Sequence, residues 1–166
     1  MKDYIEIQVR PLNSIEDLRK NAFLILTDIH ITPPHCSLLL NNQWYSLNFN
    51  ECKNGIPAEI LLKLIQTKNQ PTIFLQLTFI PNEKITSIIF NQYSKVDFQN
   101  NITCISPIKE ILVAHDIQIS KNTLLYEMIE LLYKIQLIKE GYSLFYTEKN
   151  FCLKTYSKED LMRIKI

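Results

Sequence analysis

Hydrophobic and polar positions alternate at the start of the chain, with Ile5, Ile7 and Val9 on one side and Glu6 and Gln8 on the other. That is the two-residue period of a strand. Pro11 ends the run, and Ser14 is placed to cap a short helix whose first turn carries Glu16 and Asp17, where acids favour the helix dipole. Phe23-Leu24-Ile25-Leu26 is continuously apolar and reads as a buried strand. Two strand-like runs, His35 to Leu40 and Gln43 to Asn48, then flank Asn41-Asn42. Asparagine tolerates positive φ, so the pair predicts a type I′ turn and an antiparallel hairpin. In that register Leu40 faces Gln43, Leu38 faces Tyr45 and His35 faces Asn48. Alternation puts His35, Ser37 and Asn48 on one face, and Cys36, Leu38, Leu40, Tyr45, Leu47 and Phe49 on the other.

Helical spacing takes over after Pro57, a residue suited to the first helical position, with Ile60, Leu61, Leu64 and Ile65 as its apolar stripe. Pro71 opens an extended run in which Ile73, Leu75, Leu77 and Phe79 alternate with Phe74, Gln76 and Thr78. Asn82 is placed to cap a helix with Ile85, Ile88 and Ile89 facing inward. Residues 94–103 are polar and irregular. A helix is expected from Cys104 to Val113, burying Ile105, Ile108, Ile111 and Leu112, and a longer one over 122–135. The wide apolar stripe of the latter predicts that it is mostly buried. Tyr142–Tyr146 and Phe151–Tyr156 predict a second hairpin around Glu148-Lys149-Asn150, and Ser157 with Asp160 predicts a last short helix. No repeat, low-complexity tract or linker interrupts the pattern. The expectation is one α+β domain over residues 1–166, a small antiparallel sheet packed on helices.

Composition narrows the function classes. A chain of 166 residues with a hydrophobic fraction of 46% can bury a real core. A net charge of +1 gives no electrostatic support for a nucleic-acid partner. No apolar run is long enough to span a membrane, and the first residues lack the apolar core of a signal peptide. The expected location is therefore the cytoplasm, with Cys36, Cys52, Cys104 and Cys152 as free thiols.

Cys104 is the leading nucleophile candidate, because it precedes an expected helix. The unpaired N–H groups of a first turn lower a thiol's pKa and can hold an oxyanion. The plain alternative is a small buried hydrophobe, a common role for cysteine. His35 is the candidate base and Asn48 the residue that orients its ring, brought together by the hairpin register; Ser46 is a weaker third candidate. Each is equally ordinary alone, as a strand-end histidine or a solvated asparagine. His30, His35, Cys36 and Cys52 match no compact zinc pattern. With Gly55 and Gly141 the only glycines, there is no Gly-rich phosphate loop. No metal or other cofactor is expected.

Three segments together, His35 to Leu40, Trp44 to Asn48, and Asn100 to Leu112, are similar to the permuted papain-like proteins, which include NlpC-type peptidases and relatives of lecithin retinol acyltransferase. In that group the histidine strand precedes the cysteine helix. Thr123-Leu124-Leu125-Tyr126 resembles the opening of the helix that follows. The resemblance covers roughly residues 25–133. It departs in that Asn101 does not adjoin Cys104, Pro107 lies in the nucleophile helix, and a glycine that often ends that helix is missing. The resemblance implies a permuted papain-like arrangement, with Cys104 as nucleophile, His35 as general base and Asn48 as orienter. It also implies a cysteine amidase, peptidase or acyltransferase acting on a peptide or acyl substrate, cell-wall peptides among them. A cell-wall target would require delivery by a phage particle or a secretion system. The competing reading is a non-catalytic interaction domain of a larger assembly with a protein partner.

Overall fold

A computed structural model describes residues 2–164. The first strand, β1 (Tyr4–Gln8), and the short β2 (Arg10–Pro11) lead into a 3-10 turn at Ile15–Leu18 that Ser14 caps through the N–H of Glu16. Then come β3 (Ala22–Thr27), β4 (His35–Leu40), β5 (Gln43–Leu47), β6 (Cys52–Pro57), α1 (Ala58–Lys68), β7 (Thr72–Leu77) and α2 (Glu83–Phe90). A 3-10 turn at Phe98–Asn100 precedes α3 (Ser106–Ala114), α4 (Leu125–Lys134), β8 (Ile138–Leu144), β9 (Asn150–Lys154) and α5 (Lys158–Met162). The architecture is α+β.

Seven strands form one sheet in the order β2-β8-β7-β3-β4-β5-β6, antiparallel except where β2 meets β8. Helix α1 covers one face. There Leu61, Leu62 and Ile65 pack on Phe23, Ile25, Leu39, Trp44 and Phe74. Helices α2, α3 and α4 cover the other face, burying Phe90, Ile108, Ile111, Met128 and Leu132 against Leu24, Leu26, Leu38 and Leu75. A two-stranded ribbon, β1 with β9, adds Ile7 and Leu153 to this larger core. Gly141 lets the ribbon approach, since a Cβ there would lie 2.6 Å from the Gln8 carbonyl oxygen.

The central hairpin has the expected turn. Asn41 and Asn42 have φ of 48° and 61°, and Leu38 pairs with Tyr45 and Leu40 with Gln43. The next pairing carries a bulge between Trp44 and Ser46, where Gly55 takes a φ of 68°. The extra residue on β6 brings Lys53 opposite Ser46 and sets its ammonium 5.5 Å from the centre of the Trp44 ring.

Three expectations fail. The second hairpin does not form. β8 has both edges occupied, by β7 and β2, so β9 turns away and pairs with β1. The third and fourth helices begin at Ser106 and Leu125, later than expected, because Thr103 and Ser120 anchor turns before them. Ile60, Leu64 and Ile88 are exposed rather than inward-facing, each helix burying a narrower stripe than its apolar positions suggest. His115 caps α3 and clamps it to the loop before α2. Its Nδ1–H donates to the Ile111 carbonyl (2.7 Å) and its Nε2 accepts the Asn82 N–H (2.9 Å).

Candidate active site

His35 opens β4 opposite Thr27, at the end of the strand. Its side chain lies on the α1 face, and its Nε2 is 2.8 Å from Ser46 Oγ. Ser46 is buried on β5. Two residues along, Trp44 Nε1–H donates to Ser37 Oγ (3.0 Å), so this face of the hairpin carries a short row of satisfied polar groups among apolar ones. Asn48 has other work. Its Oδ1 accepts the N–H groups of Asn50 and Glu51, both at 2.9 Å, and so builds the turn into β6. The ring partner of His35 is therefore Ser46. Asn48 lies past the end of β5, where its side chain bonds its own turn before it can meet the ring.

Cys104 stands two residues before α3, half-buried against the larger core. The backbone N–H groups of Cys36, of Cys104 itself and of Ile105 favour the thiolate form of its sulfur. These amides belong to β4 and to the segment before α3 rather than to the helix's own first turn, where Ser106 N–H is bonded to the Thr103 carbonyl and Pro107 has no N–H. Because alternate residues of β4 point to opposite faces, Cys36 projects toward α3 while His35 projects toward α1. No hydrogen bond joins Cys104 to His35 among the described residues. Both nevertheless line one cleft of about 670 Å³ that runs past the strand ends, together with Trp44, Ser46, Asn48 and Lys109.

The electrostatics favour a neutral resting pair. Burial pushes the Cys104 thiol up; the three N–H groups and the Lys109 ammonium pull it back only in part. Burial pulls His35 below the usual imidazole range, with Lys53 adding to the effect and Asp28 opposing it. A neutral imidazole in the same cleft as a protonated thiol suits proton transfer during attack, not a preformed thiolate. Lys109 is itself buried on α3 and donates from Nζ to the carbonyls of Lys121 (2.6 Å) and Thr123 (3.0 Å), fixing the loop that forms the far wall. Tyr156 closes that wall, its hydroxyl accepting the Leu125 N–H at 2.9 Å and titrating well above its usual range through burial.

Sequence reasoning passed over Lys109, Tyr156 and Asp28. Lys109 had a signal: it lies four residues after Ile105 and three before Leu112, inside the buried stripe. Tyr156 and Asp28 had none, because strand pairing and chain reversal bring them here. No group of three or more His, Cys, Asp or Glu side chains that could hold a metal occurs among the described residues. Among the described residues, no helix is long and apolar enough to cross a membrane. Comparison with protein-family models, curated proteins and solved structures finds no match to this chain.

Proposed function

We propose that the cleft carries out thiol-dependent acyl transfer, as a cysteine amidase, peptidase or acyltransferase of the permuted papain-like kind. The observation that supports it is the setting of Cys104: a thiol just before a helix, its thiolate favoured by nearby backbone N–H groups, lining a cleft that also holds a histidine with a bonded partner. In this reading Cys104 Sγ attacks the carbonyl carbon of an amide or ester. The S–H proton passes across the cleft to His35, and backbone N–H groups beside Cys104 stabilise the oxyanion as the sulfur gives up its negative charge. With Nε2 committed to Ser46, Nδ1 is the nitrogen that takes the proton. Return of that proton to the leaving group breaks the scissile bond and leaves a thioester. Water, deprotonated by His35, then releases the acyl group and restores the thiol. Peptide and lipid acyl donors both fit this chemistry.

The missing Cys104–His35 hydrogen bond and the raised thiol favour a second reading, a binding domain that keeps the arrangement without the reaction. Incubation with a 4-nitrophenyl ester separates the two. Acyl transfer predicts an acyl group on Cys104 by peptide mass analysis, with its rate lowered about a hundredfold or more in His35→Ala. Acylation confined to the exposed Cys152 in both proteins would leave the binding domain.

A further inference from the structure

The cleft has a charge and shape that thiol chemistry does not demand. Lys53, Lys68, Lys109, Lys121 and Lys158 stand on its walls against only Asp28 and Glu159. The whole chain carries +1, so the cleft is net positive while the rest of the protein is net negative. That charge is uneven along the cleft. Lys53 is paired with Glu51 and lies against the Trp44 ring. Lys109 and Lys158 feel each other's charge at the opposite end. There Lys158 donates to Asn122 Oδ1 (2.7 Å), a neutral partner, and the nearby Glu127 is held by the Leu124 N–H (2.7 Å).

The other end holds the apolar wall of the cleft, beside Lys68 on the same stripe of α1 and the Glu51-paired Lys53 on the Trp44 ring. Ile31 and Leu64 are 51% and 40% exposed, and Leu61 and Trp44 continue the wall inward. A free phosphate would leave this wall uncovered, and a hydrocarbon would leave the lysines unanswered. Laid along this wall, a peptide would set backbone polar groups against Ile31, Leu61 and Leu64, which offer them no partner. A volume of about 670 Å³ is that of a small-molecule site. We propose that the cleft binds a free single-chain amphiphile with an anionic head, its chain along Ile31, Leu61, Leu64 and Trp44 and its head at Lys121 and Lys158. The inference goes beyond acyl transfer and does not depend on it, since binding uses neither the thiol nor the imidazole as a reactant.

Trp44 is the only tryptophan of the chain and lines the cleft, so its fluorescence reports occupancy directly. The Cys104→Ala protein is titrated with 12-bromododecanoate below its micelle concentration, and with the trimethylammonium analogue of the same chain. Saturable quenching is expected at micromolar carboxylate and at least about tenfold more weakly with the cation. Lys121→Glu with Lys158→Glu, both at exposed positions, should weaken the carboxylate about tenfold and leave the cation unaffected or tighter. Millimolar inorganic phosphate should not compete. Equal affinity for the two head groups overturns the proposal, as does unsaturable quenching or competition by phosphate alone. Sedimentation with phosphatidylglycerol vesicles without quenching by the monomeric amphiphile would assign the lysines to a membrane surface and overturn it too. The head-group comparison needs only the single Cys104→Ala protein, so it stands even if the lysine variant fails to fold.

Discussion

On the side of α2, α3 and α4, the sheet presents Leu24, Leu26, Cys36, Leu38 and Leu75, an apolar surface that seals against three helices. On the side of α1 it presents Phe23, Ile25, Leu39 and Phe74, but the same strands add His35, Ser37 and Ser46. The first face holds the fold and delivers Cys104; the second accommodates polar groups and delivers His35. Strand alternation places neighbouring residues His35 and Cys36 on opposite sides, so the two candidate reacting groups come from different layers. They share space only where the strands end. A site of this kind depends on both cores, because loosening either one moves one of its partners.

The strongest perturbations are the neighbours Leu38 and Leu39, which are fully buried on opposite faces. Leu38→Ala and Leu39→Ala should each cost about 2–5 kcal/mol in urea unfolding. The double variant should be additive within about 0.5 kcal/mol if the faces are separate environments. Coupling well above that would break the comparison.

Lys109→Met removes the donor to the Lys121 and Thr123 carbonyls while keeping the stem's volume. The expected loss is about 2 kcal/mol, accompanied by faster hydrogen exchange over residues 120–124. Ser46→Ala should cost about 1 kcal/mol of stability and lower any His35-dependent rate about tenfold. Asn48→Ala should cost a similar amount by loosening its turn and leave that rate unchanged. If Asn48→Ala instead slowed the reaction and Ser46→Ala did not, the ring partner would be reassigned.

The smallest effect is in pH. The folded state holds His35 below the usual 6.5. As pH falls below about 6.5 the unfolded chain takes up a proton that the folded chain refuses, so stability declines toward the lower folded pKa and is complete above 6.5. His35→Gln should remove this part of the slope, measured as the difference between the two unfolding curves over pH 4–8. An unchanged slope would mean the ring is not buried as described.

Much of the fold can be read directly from the sequence because local rules decide it. Asn41-Asn42 sets the turn and the register, Asn82 and Ser157 cap their helices, and alternation marks β7. What could not be read depends on competition between distant segments. Nothing near residue 150 says that β1 will take the strand that β8 cannot. The site divides in the same way. His35 and Cys104 are visible as types at suggestive places, whereas the choice of Ser46 over Asn48 turns on where β5 ends. The separation of His35 from Cys104 turns on which face each helix covers.

The most direct test is the rate of acylation at Cys104 by a 4-nitrophenyl ester as a function of pH, in the unaltered protein and in His35→Ala. The account predicts a rate that rises through a titration below pH 6.5, as neutral His35 becomes available, and that loses this step together with about a hundredfold in rate when His35 is removed. Equal rates in the two proteins, rising only with ionisation of the thiol itself, would contradict it.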